Sequence, residues 1–257
     1  QQRREAVLEV ARDEGILIVE DAPYLYINFA APQDRAKPFL SMAPDQTVHL
    51  FTGSKIGFPG PRVGFLYSEA ELEIAAGEKV PLSELALVES SSELLFHSPG
   101  ALRGFEALLH ERSGDDFVER QSIWPLAEDK LVVYREKRRI LLEVLERELG
   151  AYKDYFSWTI PGGGFFTVFT FLNSGKGNMV RTDDAMIENM VMEHGLVVIP
   201  MYDFYPKDAR QRDPGAGMNQ LRLSFCFSES AGQQRRDDMR EAVEAFCQAA
   251  KALVGTT

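Results

Sequence analysis

The chain has 257 residues, of which 45% are hydrophobic and 26% are charged, and it carries a formal net charge of -11 at pH 7. This composition is typical of an α/β protein with one large domain or two modest ones. The acidic balance argues against a nucleic-acid partner and against an anionic membrane surface, since either would call for a basic face.

The two cysteines, Cys226 and Cys247, make no disulfide framework, and no histidine or cysteine spacing resembles a metal-binding motif. We therefore predict no metal site, and the cysteine content fits a reducing cytoplasm. The chain opens with charged residues, so we expect no signal peptide. No apolar run approaches the roughly 18 residues of a membrane span. These features predict a cytoplasmic protein without a membrane partner.

Helical spacing of apolar residues predicts a helix over residues 1–14. Residues 16–20 then form a continuous aliphatic run, which predicts a buried parallel strand. Asp21 and Tyr24 follow this strand directly. Because ligands collect beyond the carboxyl ends of strands in open α/β sheets, both residues are candidates for a binding site. Asp21 could equally be a turn former beside the next proline.

The segment 48–68, VHLFTGSKIGFPGPRVGFLYS, places a lysine and an arginine in one loop between two apolar runs. Buried strands have no structural use for such cations, so this loop is where we expect chemistry. Lys55 is the candidate nucleophile, because a lysine amine in a mostly apolar site can lose its proton and condense with an aldehyde such as pyridoxal phosphate (PLP). Thr52, Ser54 and Arg62 offer hydroxyl groups and a cation to a phosphate.

Three segments stand in this order along the chain: VEDAPYLYINF, FTGSKIGFPGPRVGF and LRLSF. Together they resemble the class I/II aminotransferases of the PLP-dependent fold-type I superfamily. The resemblance implies an α/β fold in which residues 1–125 form the C-terminal portion of the large PLP-binding domain, with a mostly parallel sheet. Residues 126–257 would form a linker helix and a small C-terminal α+β domain. Family members are usually longer, and the chain would begin after the segment that supplies the aromatic ring stacked on the cofactor.

The same resemblance implies a role for each candidate residue. Lys55 would be the internal-aldimine lysine, Asp21 would pair with the pyridine nitrogen, and Tyr24 would hydrogen-bond the phenolic oxygen of PLP. Thr52 and Arg62 would hold the phosphate. A carboxylate at the pyridine nitrogen keeps the ring protonated, and the protonated ring is the electron sink on which PLP chemistry depends.

Arg222 lies inside an apolar, strand-like run at residues 220–227. A buried cation must be paired or must await an anionic ligand, because leaving it desolvated and alone is costly. The resemblance implies that Arg222 binds the α-carboxylate of an amino-acid substrate. The alternative is an edge-strand arginine that faces water, which the alternation of the strand would also permit.

Periodicity predicts the other elements of the chain. Amphipathic helices are expected at 69–79 and 101–112, a long charged helix at 124–150, a strand at 165–171, a helix at 182–195, short strands at 196–200 and 220–227, and a closing helix at 230–253. His97 follows an apolar stretch, and the resemblance favours a structural or peripheral role for it near the subunit interface.

These patterns predict a PLP-dependent aminotransferase that moves an amino group between an L-amino acid and a 2-oxo acid through an aldimine at Lys55. Apolar and aromatic residues at 165–169 and 201–205 favour an aromatic or large aliphatic donor. The resemblance also implies a homodimer, in which active sites take residues from both subunits. The alternatives are a PLP-dependent lyase resembling aminocyclopropane-carboxylate synthase, whose loop also reads like GFPGPRVG, and a PLP-binding regulator domain without turnover.

Overall fold

The computed structural model describes residues 1–94, 98–226 and 233–256 of the chain. His97 and the predicted strand end at Phe227 lie outside the described residues. The chain divides into two compact units, Gln1–Asp129 and Lys130–Thr257, and the division falls within a long helix.

The first unit contains a small mixed sheet with helices and two hairpins. Its elements in chain order are α1 (Gln2–Asp13), β1 (Ile18–Asp21), α2 (Phe39–Met42), β2 (Thr47–Thr52), β3 (Gly64–Tyr67), β4 (Glu71–Ala75), β5 (Glu78–Pro81), α3 (Leu82–Leu94), α4 (Pro99–Leu108), β6 (His110–Ser113), β7 (Asp116–Glu119) and the start of α5 (Trp124–Leu149).

The sheet of the first unit has the order β1-β2-β3. β1 and β2 are parallel, as predicted, with Asp21 opposite Leu50, whereas β3 is antiparallel to β2. The loop between β2 and β3 contains only a short 3₁₀ turn, Gly53–Lys55, and so lacks the helical crossover that a parallel strand usually needs. This three-stranded sheet therefore has one parallel and one antiparallel pair, and the other described strands of the unit form the antiparallel hairpins β4–β5 and β6–β7.

Two of the predicted buried runs are not buried. Val19 in β1 is 61% exposed, and all four residues of β3 are exposed. An apolar run indicates which side chains favour burial, whereas burial itself requires another element to cover the strand. The prediction of two buried strands around the Lys55 loop is therefore wrong for β3.

The helix predicted at 69–79 is also wrong, because this segment forms the hairpin β4–β5. Charged and apolar residues alternate from Glu71 to Ile74, which is the period of a strand, and Gly77 takes a positive φ of 79° at the turn. The helix predicted at 101–112 ends earlier, at Leu108, since residues 110–113 pair with β7 across a turn at Gly114.

The face of β1 opposite Asp21 carries a buried carboxylate. Glu20, only 8% exposed, accepts hydrogen bonds from the backbone N–H groups of Phe39 (3.0 Å) and Leu40 (3.3 Å) at the start of α2. Its other contacts are Arg4 Nη1 at 2.7 Å and His49 Nδ1 at 3.0 Å. Burial by itself raises the pKa of Glu20, but these hydrogen bonds together lower it below the ordinary 4.5. Glu20 thus ties α1, α2 and β2 to the strand that carries Asp21.

Glu20→Gln should destabilise the full-length protein by about 1–3 kcal/mol, because an amide leaves buried donors unsatisfied. The pKa of Glu20 is lowered in the folded state. The carboxylate therefore stabilises the fold above its unfolded pKa, and this contribution is lost as the pH falls through the folded pKa. Urea denaturation at several pH values measures both effects. The exposed Glu9→Gln on α1 is the control, expected within about 0.5 kcal/mol of wild type. If Glu20→Gln lowered the free energy of unfolding by the same amount at neutral and at acidic pH, this account would be contradicted.

The second unit is built around an antiparallel sheet of order β10-β11-β9-β8. Its elements are the rest of α5, β8 (Phe156–Trp158), β9 (Phe166–Phe171), α6 (Asp184–His194), β10 (Ile199–Pro200), α7 (Lys207–Arg212), β11 (Gln220–Ser224) and α8 (Gln233–Val254). α6 is capped at its N-terminus by Asp183, whose side chain accepts from Met186 N–H at 3.1 Å, and at its C-terminus by Gly195 with φ of 64°. The helices and strands predicted for this half are present in the predicted order, whereas β8 and α7 were not predicted.

Aromatic side chains form the core of the second unit. On β9, Phe169 and Phe171 are almost fully buried, and Phe246 of α8 packs edge-on against Phe169 with ring centroids 4.9 Å apart. The edge-to-face arrangement is a favourable geometry for aromatic pairs. Across the described ranges of both units, no helix is long and apolar enough to cross a membrane. Nor does any group of three or more histidine, cysteine, aspartate or glutamate side chains among these residues suit a metal ion.

Candidate active site

The parallel pair β1–β2 brings two groups of candidate residues to one edge of the sheet. Both strands run in the same direction, and the N–H of Ala22, just after β1, donates to Leu50 O of β2 at 3.0 Å. Tyr24 follows β1 and Lys55 follows β2, and Lys55 Nζ lies 5.6 Å from the centroid of the Tyr24 ring. The structure therefore places Lys55, the predicted nucleophile, beside Tyr24, to which the resemblance assigns a hydrogen bond with the phenolic oxygen of PLP.

Two hydroxyl groups that precede Lys55 in the chain and a guanidinium that follows it form a cluster. Thr52 Oγ1 donates to Val63 O at 2.8 Å, accepts from Ser54 N–H at 3.2 Å, and lies 3.0 Å from Ser54 Oγ. Arg62 Nη1 donates to the same Ser54 Oγ at 3.3 Å. Thr52, Ser54 and Arg62, hereafter the anion grip, thus form one connected group, in which Ser54 joins the two residues to which the resemblance assigned the phosphate.

Arg62 reaches Ser54 through an unusual backbone conformation. Its φ is 58°, in the left-handed region that non-glycine residues rarely adopt and that costs of order 1–3 kcal/mol. Such strain persists only where the surrounding chain holds it in place, and it is found most often at functional sites. In this conformation the exposed guanidinium of Arg62 lies over its own loop and also donates to Pro59 O.

Helix α4 supports the turn that carries Lys55. Phe105 of α4 lies so close to Gly53 that a Cβ there would sit 2.8 Å from its ring, and a Cβ on Gly104 would sit 2.5 Å from the ring of Phe58. A side chain at either position would force the facing ring to move, and the two rings pack the loop after β2 onto the helix. This support was not predicted from the sequence, because the positions of Gly53 and Gly104 in the chain do not indicate which phenylalanine ring will lie against them.

Asp21 is exposed and borders a depression of about 360 Å³, which Pro23, Thr52, Gly64 and Phe65 also line. Its carboxylate has no hydrogen bond or ion pair with any residue that the structure describes. An unpartnered carboxylate at a strand end can pair with a cationic group of a ligand. The turn-former alternative explains the backbone position of Asp21 but gives its carboxylate no partner.

Arg222 belongs to the second unit. It lies on β11, which pairs with β10 through Ile199 and with β9 through Val168, so the alternative of an edge-strand arginine is wrong. Its Nε is buried and has no hydrogen-bond partner. Its guanidinium carbon lies 4.2 Å from the ring centroid of Phe166 and 4.5 Å from that of Phe204. Arg222 is therefore a partly buried cation without an anionic partner in the described chain.

The donor set of the first unit fits PLP. A phosphate requires hydroxyl groups, backbone N–H groups and a cation, which the anion grip offers within one loop. An aldehyde requires an amine, and Lys55 directly follows Ser54 of the grip. A protonated ring nitrogen requires a carboxylate, and that of Asp21 is unpartnered in the described chain.

No family model matches the chain. The chain is 28% identical over 229 residues to the (S)-3,5-dihydroxyphenylglycine transaminase of Amycolatopsis orientalis, an alignment that covers 87% of this chain and 44% of that protein. It is 25% identical over 255 residues to the 2-aminoadipate transaminase of Thermus thermophilus, covering 98% of this chain and 53% of that protein. The chain thus spans about half the length of the curated relatives it matches.

Among solved structures, the chain is similar to the α-aminoadipate aminotransferase of Thermus thermophilus complexed with N-(5'-phosphopyridoxyl)-L-leucine. The TM-score is 0.69 at 22% identity, covering 99% of this chain and 55% of that one. This likeness confirms the predicted α/β fold of the fold-type I aminotransferases. The resemblance of the three sequence segments is confirmed as well, since the curated relatives and the structural neighbours are aminotransferases.

Proposed function

We propose that the full-length protein is a PLP-dependent aminotransferase that moves an amino group between an L-amino acid and a 2-oxo acid. The observation that carries this proposal is the grouping in the β2–β3 loop, where Lys55 lies in the chain between Ser54 and Arg62 of the connected anion grip and packs beside the Tyr24 ring. The transaminase names of the curated relatives support the same reading.

The anion grip would hold the phosphate of PLP, with Arg62 supplying the charge-assisted contact. Asp21 would accept from the protonated ring nitrogen, and the Tyr24 hydroxyl would donate to the phenolic oxygen. When bound, PLP supplies an electron sink that stabilises negative charge at the substrate α-carbon. Residues 1–125 would then be the C-terminal portion of the large cofactor-binding domain, and residues 126–257 the linker helix and small domain.

Lys55 would carry out two tasks with one nitrogen. Its amine would hold the cofactor through the aldehyde when no substrate is bound. Once freed by the substrate amine, it would act as the base that accepts the proton from the substrate α-carbon and as the acid that returns it. The turn Gly53–Lys55 is pinned on α4 by Phe105 against Gly53, which supports a defined position for this amine.

Arg222 would bind the α-carboxylate common to all amino acids. This contact defines the substrate class but does not select among amino-acid side chains. Phe166 and the half-exposed Phe204 lie against its guanidinium and supply aromatic surface nearby. Apolar walls penalise an unpaired carboxylate and favour an aromatic or large aliphatic donor.

We also propose that the protein acts as a homodimer in the cytoplasm. The exposed apolar side chains of α3 support an interface on the first unit, since Leu87 and Val88 are each 67% exposed there. The relatives are named transaminases, which does not favour the lyase or the regulator domain.

A donor panel tests the reaction and the preference together. The full-length protein with PLP and a 2-oxo acid should form one new amino acid for each donor consumed, and phenylalanine, tyrosine and leucine should exceed aspartate in kcat/KM. The panel should include 2-aminoadipate, because one relative is named for it. Consumption of a donor without formation of a new amino acid from the 2-oxo acid would favour a lyase. A higher kcat/KM for aspartate than for phenylalanine, tyrosine and leucine would show that a second cation binds the carboxylate of the substrate side chain.

A further inference from the structure

The guanidinium of Arg222 contacts aromatic rings where an ion-pair partner would be expected. Phe166 at the start of β9 and Phe204 in the turn after β10 both lie within 4.5 Å of its central carbon, measured to the ring centroids. Cations are attracted to ring faces by the ring quadrupole. In the described chain no carboxylate bonds this arginine, and its Nε is buried without a partner.

The choice of aromatic partners has a consequence for ligand binding. A protein carboxylate on Arg222 would neutralise the cation and compete with any anionic ligand. Ring faces restrain the guanidinium and exclude water from it, yet they leave its charge and its hydrogen-bond donors available. The low-dielectric setting also strengthens the attraction to an arriving anion.

The turn that carries Phe204 is held at several points. Tyr202 donates its hydroxyl to Asp184 at 2.5 Å, Tyr205 donates to Gln220 at 3.1 Å, and Met201 N–H donates to Gln220 O at 3.0 Å. The contact with Asp184 raises the pKa of Tyr202 to about 12.

Gly217 allows the same turn to pack closely. Its φ is 75°, and a Cβ there would lie 2.8 Å from the Tyr202 backbone. Phe204 is nevertheless 50% exposed, so burial of its ring is not what the turn achieves. The ring is instead presented to Arg222.

We propose that Phe166 and Phe204 are positioning residues, which hold the guanidinium of Arg222 in the orientation that binds a substrate carboxylate through two hydrogen bonds. We call this pair the aromatic clamp. The inference rests on the proposed role of Arg222 in transamination and deepens it, because it names the residues that prepare the carboxylate site.

Matched ligands with and without a carboxylate separate this role from simple contact with the substrate. We would titrate the full-length PLP enzyme with 3-phenylpropionate and with 3-phenylpropionamide by calorimetry, and compare the ratio of their Kd values across variants. Phe204→Leu should weaken the acid about fivefold, which corresponds to ~1 kcal/mol, and leave the amide unchanged. Phe204→Tyr keeps the ring face and should stay within about twofold of wild type. Phe117→Leu, the same change at a ring that is 74% exposed on β7, is the control.

Each outcome has a distinct meaning. Equal weakening of acid and amide in Phe204→Leu would show that the ring only lines the ligand pocket, and would overturn the clamp. The clamp would also be overturned if the ratio of the two Kd values stayed unchanged in Phe204→Leu but shifted strongly toward the amide in Arg222→Lys. That result would leave the role of Arg222 intact. An unchanged ratio in Arg222→Lys would instead reject the proposed carboxylate site itself. In turnover, the clamp predicts a raised KM for amino donors in Phe204→Leu with kcat retained.

Discussion

The Lys55→Ala variant of the full-length protein should lose transamination almost completely while it still binds PLP. The substitution removes the amine that holds the cofactor aldehyde and the base that moves the α-proton, and general-base catalysis alone contributes about 10²–10⁴-fold. The anion grip does not include Lys55, so phosphate affinity should persist. Single-turnover kinetics with a fixed amino donor measure the loss, and equilibrium dialysis measures retained PLP.

The position of the bond is tested directly by chemical trapping. Borohydride should bleach the visible band of the wild-type protein, and peptide mapping should then find the cofactor mass on Lys55. Lys79→Ala changes an exposed lysine on the β4–β5 hairpin and should leave both turnover and trapping unchanged. Trapping at another lysine would remove Lys55 from its proposed role.

Asp21→Ala should lower kcat by roughly 10²–10³-fold, a loss comparable to removing one preorganised electrostatic group from an active site. The reason is that a neutral pyridine withdraws electrons poorly, so negative charge at the substrate α-carbon is less stabilised. Cofactor binding should be largely retained through Thr52, Ser54 and Arg62. Steady-state kinetics at saturating PLP separate the two effects.

Asp21→Asn is the sharper variant, because it keeps the size of the side chain and removes only the charge. We expect it to be as impaired as Asp21→Ala, which would assign the effect to the carboxylate and not to a disturbed turn after β1. Near-normal turnover in both variants would mean that another carboxylate serves the ring nitrogen. A loss of folded protein in Asp21→Ala alone would favour the turn-former reading.

Local chemistry was readable from the sequence where neighbouring residues act together. Thr52, Ser54, Lys55 and Arg62 lie within one loop, so their grouping follows from chain connectivity, and a glycine at position 195 ends α6 by its own backbone freedom. Periodicity, which is also local, predicted most helices and strands of the second unit but not β8 or α7. The hairpin β4–β5 was missed because its strand-like alternation was read as a helix.

Contacts between distant parts of the chain were not readable in this way. Nothing local indicates that Glu20 will be capped by α2 and His49, that Phe105 will lie on Gly53, or that Phe204 will lie on Arg222. The sequence also predicted β3 as buried, although exposure depends on which elements cover a strand.

By itself, the sequence determined which functional groups the protein has and which of them share a loop, since chain connectivity holds those residues together whatever the rest of the fold does. The tertiary structure alone decided which parallel strands pair, which glycines lie against phenylalanine rings, and which aromatic rings contact the guanidinium of Arg222. The physical reason is that such contacts join residues far apart in the chain. Their energies depend on packing and desolvation, which exist only once the elements have assembled.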